Sequence, residues 1–313
     1  MADDMIIVCP GQGAQAVGMG KLWAETSSEA RAVFDEADAV LGDSLGSPLS
    51  QICFEGPAET LNRTDVSQPA LYTAAVACWR GLSAQMGLAE GQAPIVAAAG
   101  LSLGEYSALH IAGAFSFADG LRLVALRGSA MQAAAEATAS GMVALVGADE
   151  DKAQAVCDEA RAGGVLVCAN FNAPGQVVLS GDAEACKRAE AVAGEQGLRA
   201  VALQVAGAFH SPIMQPAADA LAKALSEVEI AQPSAPVWSN VTAKPHDADA
   251  DSIRGKLAEQ LTSPVRWADS FAAMVGEYEN AQVHEMAPGK TLAGMAKRIA
   301  RGVKVQSHDG PEI

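Results

Sequence analysis

The sequence contains few aromatic residues and few basic ones. Aromatic residues make up 4% of the 313 residues, and 21 Lys and Arg stand against 37 Asp and Glu, which gives a formal net charge of −16. Nucleic acid and anionic membrane surfaces would repel such a chain, so neither is an expected partner. Half of the residues are hydrophobic and 30 are glycine. This composition can bury a large core and favours helices packed closely on a sheet.

Cysteine pairs and long apolar runs are missing as well. None of the six cysteines forms a C-x-x-C pair or lies at zinc-ligand spacing with a histidine, so we expect buried, reduced thiols. No stretch reaches the roughly 18 apolar residues that a membrane span requires. The apolar run in MADDMIIVCP is too short for a signal peptide. The expectation is a cytoplasmic protein, monomeric, with no membrane partner.

The pattern of predicted strands and helices changes in the middle of the chain, which indicates a second structural unit. From Met142 to Val205 the pattern predicts strand, helix, strand, strand, helix, strand, which is the ferredoxin-like order. We therefore predict an α/β fold with two parts. Residues 1–138 and 206–313 form a large, discontinuous catalytic subdomain, and residues 139–205 form an inserted ferredoxin-like subdomain. The polar end of the chain, SHDGPEI, is expected to be mobile.

The segment Gly100–Gly104, with the sequence GLSLG, lies between an apolar strand and a helix. This is the context of the nucleophile elbow, in which small residues allow a sharp turn and expose a serine at the helix N-terminus. The context predicts an α/β-hydrolase-like body with a parallel sheet. Ser102 is the candidate nucleophile, and a plain glycine-rich turn is the alternative.

A serine nucleophile requires a base, and the chain offers five histidines: His110, His210, His246, His284 and His308. His210 lies in GAFHSPIM, directly after the inserted unit, where a cleft between subdomains is expected. A structural histidine between subdomains is the alternative. The position of His110 in the elbow helix suggests a structural role.

Arg127 shares one predicted helix face with Leu123 and Ala130. A guanidinium on an apolar face requires an anion, because it cannot lose its charge. That anion is either an acidic side chain in a structural salt bridge or the carboxylate of a substrate.

Seven short motifs together resemble one family. They are PGQGAQ at 10–15, GLSLGE at 100–105, ALRGSAMQ around Arg127, NAPGQVVLSG at 172–181, GAFHSPIM at 207–214, QLTSPVRW at 260–267 and APGKTLAG at 287–294. In their order and spacing they resemble the malonyl-CoA:acyl carrier protein transacylases over essentially the whole chain.

The resemblance implies a catalytic dyad without an acidic third member. Ser102 would accept the acyl group, and His210 would be its general base. A backbone carbonyl, here that of Gln260, would orient the histidine. Gln12 and the backbone N–H of Leu103 would form the oxyanion hole.

The resemblance also implies residues for the substrate. Arg127 would clamp the free carboxylate of the malonyl group, and Asn170 would lie near the cleft. Leu103 and Phe209 resemble the pair found in relatives that select malonyl, whereas relatives that select methylmalonyl have glutamine and serine there. One position departs from the family, which usually has histidine before the serine; here it is Leu101.

The implied reaction is ping-pong transfer of a malonyl group from malonyl-CoA to the thiol of acyl carrier protein, without a metal or redox cofactor. An acidic carrier would need a basic patch, for which the candidates are Lys187, Arg188, Lys290, Lys297, Arg298, Arg301 and Lys304. Two other classes stay open: a serine esterase or thioesterase, and a non-catalytic acyl- or carrier-binding module.

Overall fold

Five parallel strands form the larger of two sheets in the computed structural model, which describes residues 4–88 and 91–311. Their order across the sheet is β7-β2-β1-β8-β9. The strands of this sheet are β1 Met5–Cys9, β2 Ile95–Gly100, β7 Val237–Trp238, β8 Gln282–Met286 and β9 Val305–His308. Every residue of β1 is buried, as expected for a central strand that helices cover on both faces.

The described part of the chain contains thirteen α-helices. They are α1 Lys21–Thr26, α2 Ser28–Leu41, α3 Leu49–Glu55, α4 Ala58–Leu61, α5 Thr64–Gln85, α6 Gly104–Ile111, α7 Phe117–Ala137, α8 Glu150–Arg161, α9 Ala183–Glu195, α10 Gln215–Ser226, α11 Ala250–Glu259, α12 Trp267–Glu277 and α13 Thr291–Ile299. Helices α5 and α7 pack on one face of the large sheet and α12 and α13 on the other. Among the described helices, none has the length and hydropathy to cross a bilayer.

Four antiparallel strands form the second sheet, in the order β4-β5-β3-β6. They are β3 Ser140–Val146, β4 Leu166–Ala173, β5 Gln176–Asp182 and β6 Arg199–Ala202. Helices α8 and α9 complete the βαββαβ order and cover a separate apolar core. The predicted fold class is confirmed. The sheet lies within residues 139–205, and these domain boundaries themselves stay a prediction.

Strand β4 joins the small unit to the large one. Its backbone exchanges hydrogen bonds with Val265: Phe171 N–H donates to the Val265 carbonyl at 2.9 Å, and Val265 N–H donates to the Ala169 carbonyl at 2.8 Å. The segment that follows β6 then returns to the large unit and carries His210. The junction therefore places His210 and Gln260 beside the elbow.

The expectation of a mobile end is wrong for residues 307 and 308. Residues 305–308 form β9, which pairs with β8, and His308 is buried and stacks on His284 with 5.2 Å between ring centroids. The carbonyl of His308 also accepts from Trp23 Nε1 at 2.9 Å, which helps to hold the strand in place. Residues 312 and 313 lie outside the described residues.

Candidate active site

The elbow at Ser102 is built from close backbone contacts. Strand β2 ends at Gly100, α6 begins at Gly104, and Ser102 between them has a φ of 51°. A Cβ at Gly100 would lie 1.8 Å from the Gly104 carbonyl carbon, and a Cβ at Gly104 would lie 2.1 Å from the Cys9 carbonyl oxygen. Only glycine fits at these two positions, which explains the spacing of the motif. The turn presents Ser102, partly exposed, at the N-terminus of α6.

Ser102 and His210 are in direct hydrogen-bond contact, with 2.8 Å between Ser102 Oγ and His210 Nε2. On the far side of the ring, Nδ1 lies 2.8 Å from the backbone carbonyl of Gln260. A carbonyl can only accept, so Nδ1 carries the ring proton and Nε2 accepts from the serine hydroxyl. This tautomer is the one that a general base for Ser102 requires.

Burial and the nearby Arg127 cation lower the pKa of His210 to about 4, and the hydrogen bond to the Gln260 carbonyl only partly opposes them. The residue is 4% exposed. His210 is therefore neutral at pH 7 and able to take a proton from Ser102. A histidine with an ordinary pKa would be partly protonated near neutral pH and to that extent unavailable as a base.

Arg127 lies on α7, is 1% exposed and reaches Ser102. Its Nη2 donates to Ser102 Oγ at 3.0 Å and to Gln260 Oε1 at 2.9 Å, and its Nη1 donates to Gln68 Oε1 at 2.7 Å. All three acceptors are neutral. No acidic side chain within residues 4–88 and 91–311 forms an ion pair with this guanidinium. Two anions were considered for Arg127: an acidic side chain and a substrate carboxylate. In the described part of the chain, no acidic side chain pairs directly with it.

The two candidates for the oxyanion hole border the elbow. Leu103 is buried at the start of α6, where backbone N–H groups lack helical partners. Gln12 follows β1 in a loop whose Gly11 lies against the Leu101 carbonyl. The Gln12 side chain is half-buried and donates to Thr64 Oγ1 at 3.3 Å. Their role as oxyanion donors stays a prediction.

Asn170 and Phe209 lie on two sides of the junction between the units. Asn170, half-buried on β4, pairs with Val265. Phe209 is buried beside His210, and its carbonyl accepts from Ser180 Oγ at 2.6 Å. Their contribution to substrate binding stays a prediction.

Leu101, where the family usually has histidine, lies in the apolar cluster under the sheet with Trp238, Val265 and Trp267. It is 8% exposed, and its N–H donates to the Cys9 carbonyl at 3.0 Å. An apolar side chain thus packs well at this position of the elbow.

Sequence reasoning missed three polar side chains behind the elbow. Asn240 accepts from Ser102 N–H at 2.6 Å and donates to the Gly100 carbonyl at 2.7 Å. Glu105, fully buried, contacts His246 Nε2 at 2.7 Å. The local signal for Glu105 is a carboxylate in the first turn of the elbow helix, directly after the glycine motif.

Several candidates for a basic docking patch make contacts within the chain. Lys187 pairs with Glu184, and Arg188 donates to the carbonyls of Ala160 and Arg161. Arg298 of α13 donates to the Pro174 carbonyl at 2.7 Å and so connects the two units. A carrier-docking role for the patch stays a prediction.

Comparison with known proteins adds an independent finding. Residues 6–308 match the acyl transferase domain family. Malonyl CoA-acyl carrier protein transacylase from Salmonella typhimurium is 43% identical over 293 residues, which is 93% of this chain and 91% of the relative. The chain belongs to the malonyl-CoA:acyl carrier protein transacylase family. The enzyme of that name from Bacillus subtilis is 41% identical over 97% of this chain and 92% of its own.

Solved structures of transacylase family members have the same fold. A malonyl-CoA:acyl carrier protein transacylase from Xanthomonas oryzae is 41% identical, with a TM-score of 0.91 over 99% of this chain and 96% of its own. A malonyl-transacylase solved in complex with a type II PKS acyl-carrier protein is 37% identical, with a TM-score of 0.90 over 99% of this chain and 97% of its own. The resemblance seen in the seven sequence motifs is confirmed.

Proposed function

We propose that this protein transfers the malonyl group of malonyl-CoA to the phosphopantetheine thiol of acyl carrier protein, in fatty acid biosynthesis. One observation carries the proposal: a buried guanidinium without an acidic partner in the described chain donates to the same serine oxygen that contacts a neutral histidine. A nucleophile, a base and a site for a carboxylate thus meet within hydrogen-bond distance. An acyl group that ends in a carboxylate fits this combination.

In the first half-reaction, His210 Nε2 takes the hydroxyl proton while Ser102 Oγ attacks the thioester carbonyl of malonyl-CoA. The tetrahedral intermediate carries an oxyanion, for which Gln12 and the N–H of Leu103 are the proposed donors. The carbon–sulfur bond then breaks, and the proton on His210 passes to the leaving thiolate of CoA. The product is a malonyl ester of Ser102.

In the second half-reaction, the carrier thiol takes the place of CoA. Neutral His210 accepts the thiol proton, and the sulfur attacks the ester carbonyl. When the intermediate collapses, Ser102 Oγ leaves and recovers its proton from His210. No electron is gained or lost and no hydroxide is needed, so the proposed steps require neither a metal nor a redox cofactor.

Substrate choice is proposed to depend on three side chains. Arg127 would hold the malonyl carboxylate, and Leu103 and Phe209 would leave no room for a methyl group on the α-carbon. Steric exclusion of that methyl is needed because the apolar contact of one methylene is worth only about 1–3 kcal/mol. We therefore expect malonyl-CoA to be preferred over methylmalonyl-CoA.

A cytoplasmic location is also a proposal. Its support is the state of the six cysteines, which are all buried and free, as is usual for thiols kept in a reducing compartment.

The experiment that tests this function follows CoA release and malonyl-carrier formation together. Transfer predicts a first release of about one CoA per protein molecule without the carrier, as the malonyl ester of Ser102 forms. Further CoA release should require the carrier protein and should equal the amount of malonyl-carrier formed. An esterase would release CoA and free malonate at a rate independent of the carrier. A non-catalytic binding module would release no CoA.

A further inference from the structure

The positive charge of Arg127 is buried, and none of its direct hydrogen-bond partners neutralises it. A buried cation is costly unless an anion compensates it. The hydrogen-bond acceptors of Arg127 are the neutral oxygens of Gln68, Ser102 and Gln260. Burial lowers the pKa of this guanidinium, and the neighbouring Tyr106 and Glu105 act in the opposite sense. The ring of Tyr106, with its centroid 5.5 Å from Arg127 Cζ, compensates part of the charge. A negative charge nearby would stabilise the guanidinium further before a substrate binds.

Glu105 is a buried carboxylate in the next layer of the site. It is 0% exposed. Its Oε1 lies 2.7 Å from His246 Nε2, and its Oε2 accepts from Gln260 Nε2 at 2.7 Å and from the N–H of Asn240 at 3.0 Å. The mechanism proposed above gives this group no role.

The side chain of Gln260 connects the two charges. Its Oε1 accepts from Arg127 at 2.9 Å, while its Nε2 donates to Glu105 at 2.7 Å. The partners fix the orientation of the amide, because a guanidinium can only donate and a carboxylate can only accept. One amide thus separates the cation from the anion.

We propose that Glu105 is the counter-charge of Arg127, acting through the Gln260 amide, and that it sets how strongly the site binds the carboxylate of its substrate. The inference rests on the proposed function. In the empty site, Glu105 compensates the guanidinium. When a malonyl carboxylate arrives, it shares the guanidinium with Glu105, so part of its attraction to Arg127 is offset. Glu105 therefore weakens malonyl binding and leaves the binding of an uncharged acyl group unchanged.

Glu105→Gln removes the charge and can keep the contacts. The new amide oxygen can accept from the Asn240 N–H and from Gln260 Nε2, and the new NH₂ can donate to His246 Nε2. That requires the other tautomer of His246, with its proton on Nδ1, an atom that is buried without a hydrogen-bond partner in the described structure. Glu105→Asp makes the opposite change, since it keeps the charge and shortens the side chain.

The test measures binding without chemistry, in a Ser102→Ala background, by calorimetry with malonyl-CoA and with acetyl-CoA. Adding Glu105→Gln should tighten malonyl-CoA binding about 10-fold and leave acetyl-CoA binding within about 2-fold, as expected for a unit charge acting over one intervening amide. Glu105→Asp should leave the ratio of the two affinities unchanged. Glu285→Gln is the matched control, because Glu285 is a second fully buried carboxylate that accepts from Leu292, Ala293 and Ser307; it should also leave the ratio unchanged.

The inference fails if Glu105→Gln moves both affinities equally or moves neither. If that variant does not fold, Glu105→Asp still decides, since a changed affinity ratio with the charge in place would contradict a role for the charge. Malonyl transfer by the wild-type protein tests the proposed function separately. A wild type that transfers malonyl, with a ratio insensitive to Glu105, would reject only the inference.

Discussion

Ser102 and His210 both have backbone conformations that residues other than glycine seldom adopt, with φ values of 51° and 56°. At Ser102 the conformation is supported by Asn240, whose amide bonds the backbone on both sides of Leu101. At His210 it places the ring between Ser102 Oγ and the Gln260 carbonyl. Strain of this kind persists where surrounding contacts over-determine the geometry.

Replacing Ser102 or His210 by alanine should each lower malonyl transfer by several orders of magnitude, because nucleophile and base act as a unit. The double variant should then be little worse than either single one. The measurement is kcat/KM for all three variants, with folding checked by circular dichroism. Additive losses would show that the two residues do not act together.

Arg127→Ala should weaken malonyl transfer far more than acetyl transfer, since acetyl has no carboxylate for the guanidinium to hold. Arg127→Lys should restore only part of the loss, because an ammonium lacks the bidentate fork. The ratio of kcat/KM values for malonyl-CoA and acetyl-CoA measures this. A variant that loses stability but keeps the wild-type ratio would indicate a structural role instead.

At the residue scale, the sequence predicts the members of a short motif better than their partners in space. Ser102 and His210 can be predicted because a glycine spacing and a position after the inserted unit mark them. The same is not possible for Gln68, Asn240 and His246. Each contacts a site residue that lies more than 50 positions away in the sequence.

At the scale of elements, the strand–elbow–helix unit depends on its two glycines. Gly100→Ala should destabilise the fold by more than about 3 kcal/mol, because the new methyl group would overlap the backbone of Gly104. Gly255→Ala is the matched control: it lies inside α11, exposed, with open space around its Cβ position, and should stabilise by about 0.5–1 kcal/mol. Chemical denaturation measures both. Equal effects of the two changes would refute the account of the elbow.

The histidine pair between β8 and β9 predicts acid sensitivity. His284 Nδ1 lies 2.9 Å from His308 Nε2. Burial, and to a smaller extent the nearby His308, lowers the pKa of His284 from 6.5 to about 4. Between these two pH values the unfolded chain binds a proton that the folded chain does not. The contribution of His284 is therefore fully present above pH 6.5 and is lost as the pH falls toward 4.

Comparing unfolding free energies at pH 7 and pH 5 tests this. Between pH 7 and pH 5 the unfolding free energy of the His284→Gln variant should fall by about 1 kcal/mol less than that of the wild type, after allowance for partial solvent screening. His210 titrates in both proteins and cancels in the difference. An identical pH dependence in variant and wild type would contradict the prediction.

The spacing of apolar residues and the positions of turn-forming residues make most helices and strands predictable. The βαββαβ order of the inserted unit follows from them, whereas the short helices α1, α3 and α4 and the elements β9 and α12 are missed. Strand β9 is short and polar in sequence, and it forms only because β8 offers an open edge beside it. Helix α12 begins directly after the segment that pairs with β4, so its start depends on a tertiary contact.

At the scale of the whole molecule, the site exists because the chain leaves the large unit, builds the small one and returns. Ser102 precedes the inserted strands, His210 follows them, and Gln260 lies on the return path. The position of His210 after the inserted unit predicts part of this arrangement, and the place of Gln260 is implied by the family resemblance. The network of Glu105, Gln260 and Arg127 could not be predicted, because it joins residues from three separate parts of the chain.

The central claim is that Ser102 carries the malonyl group between two thiols. Peptide mass mapping tests it most directly, after a short pulse of malonyl-CoA and a chase with or without the thiol-bearing carrier protein. The account predicts one malonyl group on the peptide that contains Ser102, stable in water over the pulse and discharged to the carrier on the chase. No adduct, an adduct on another residue, or discharge at the same rate without the carrier would contradict it.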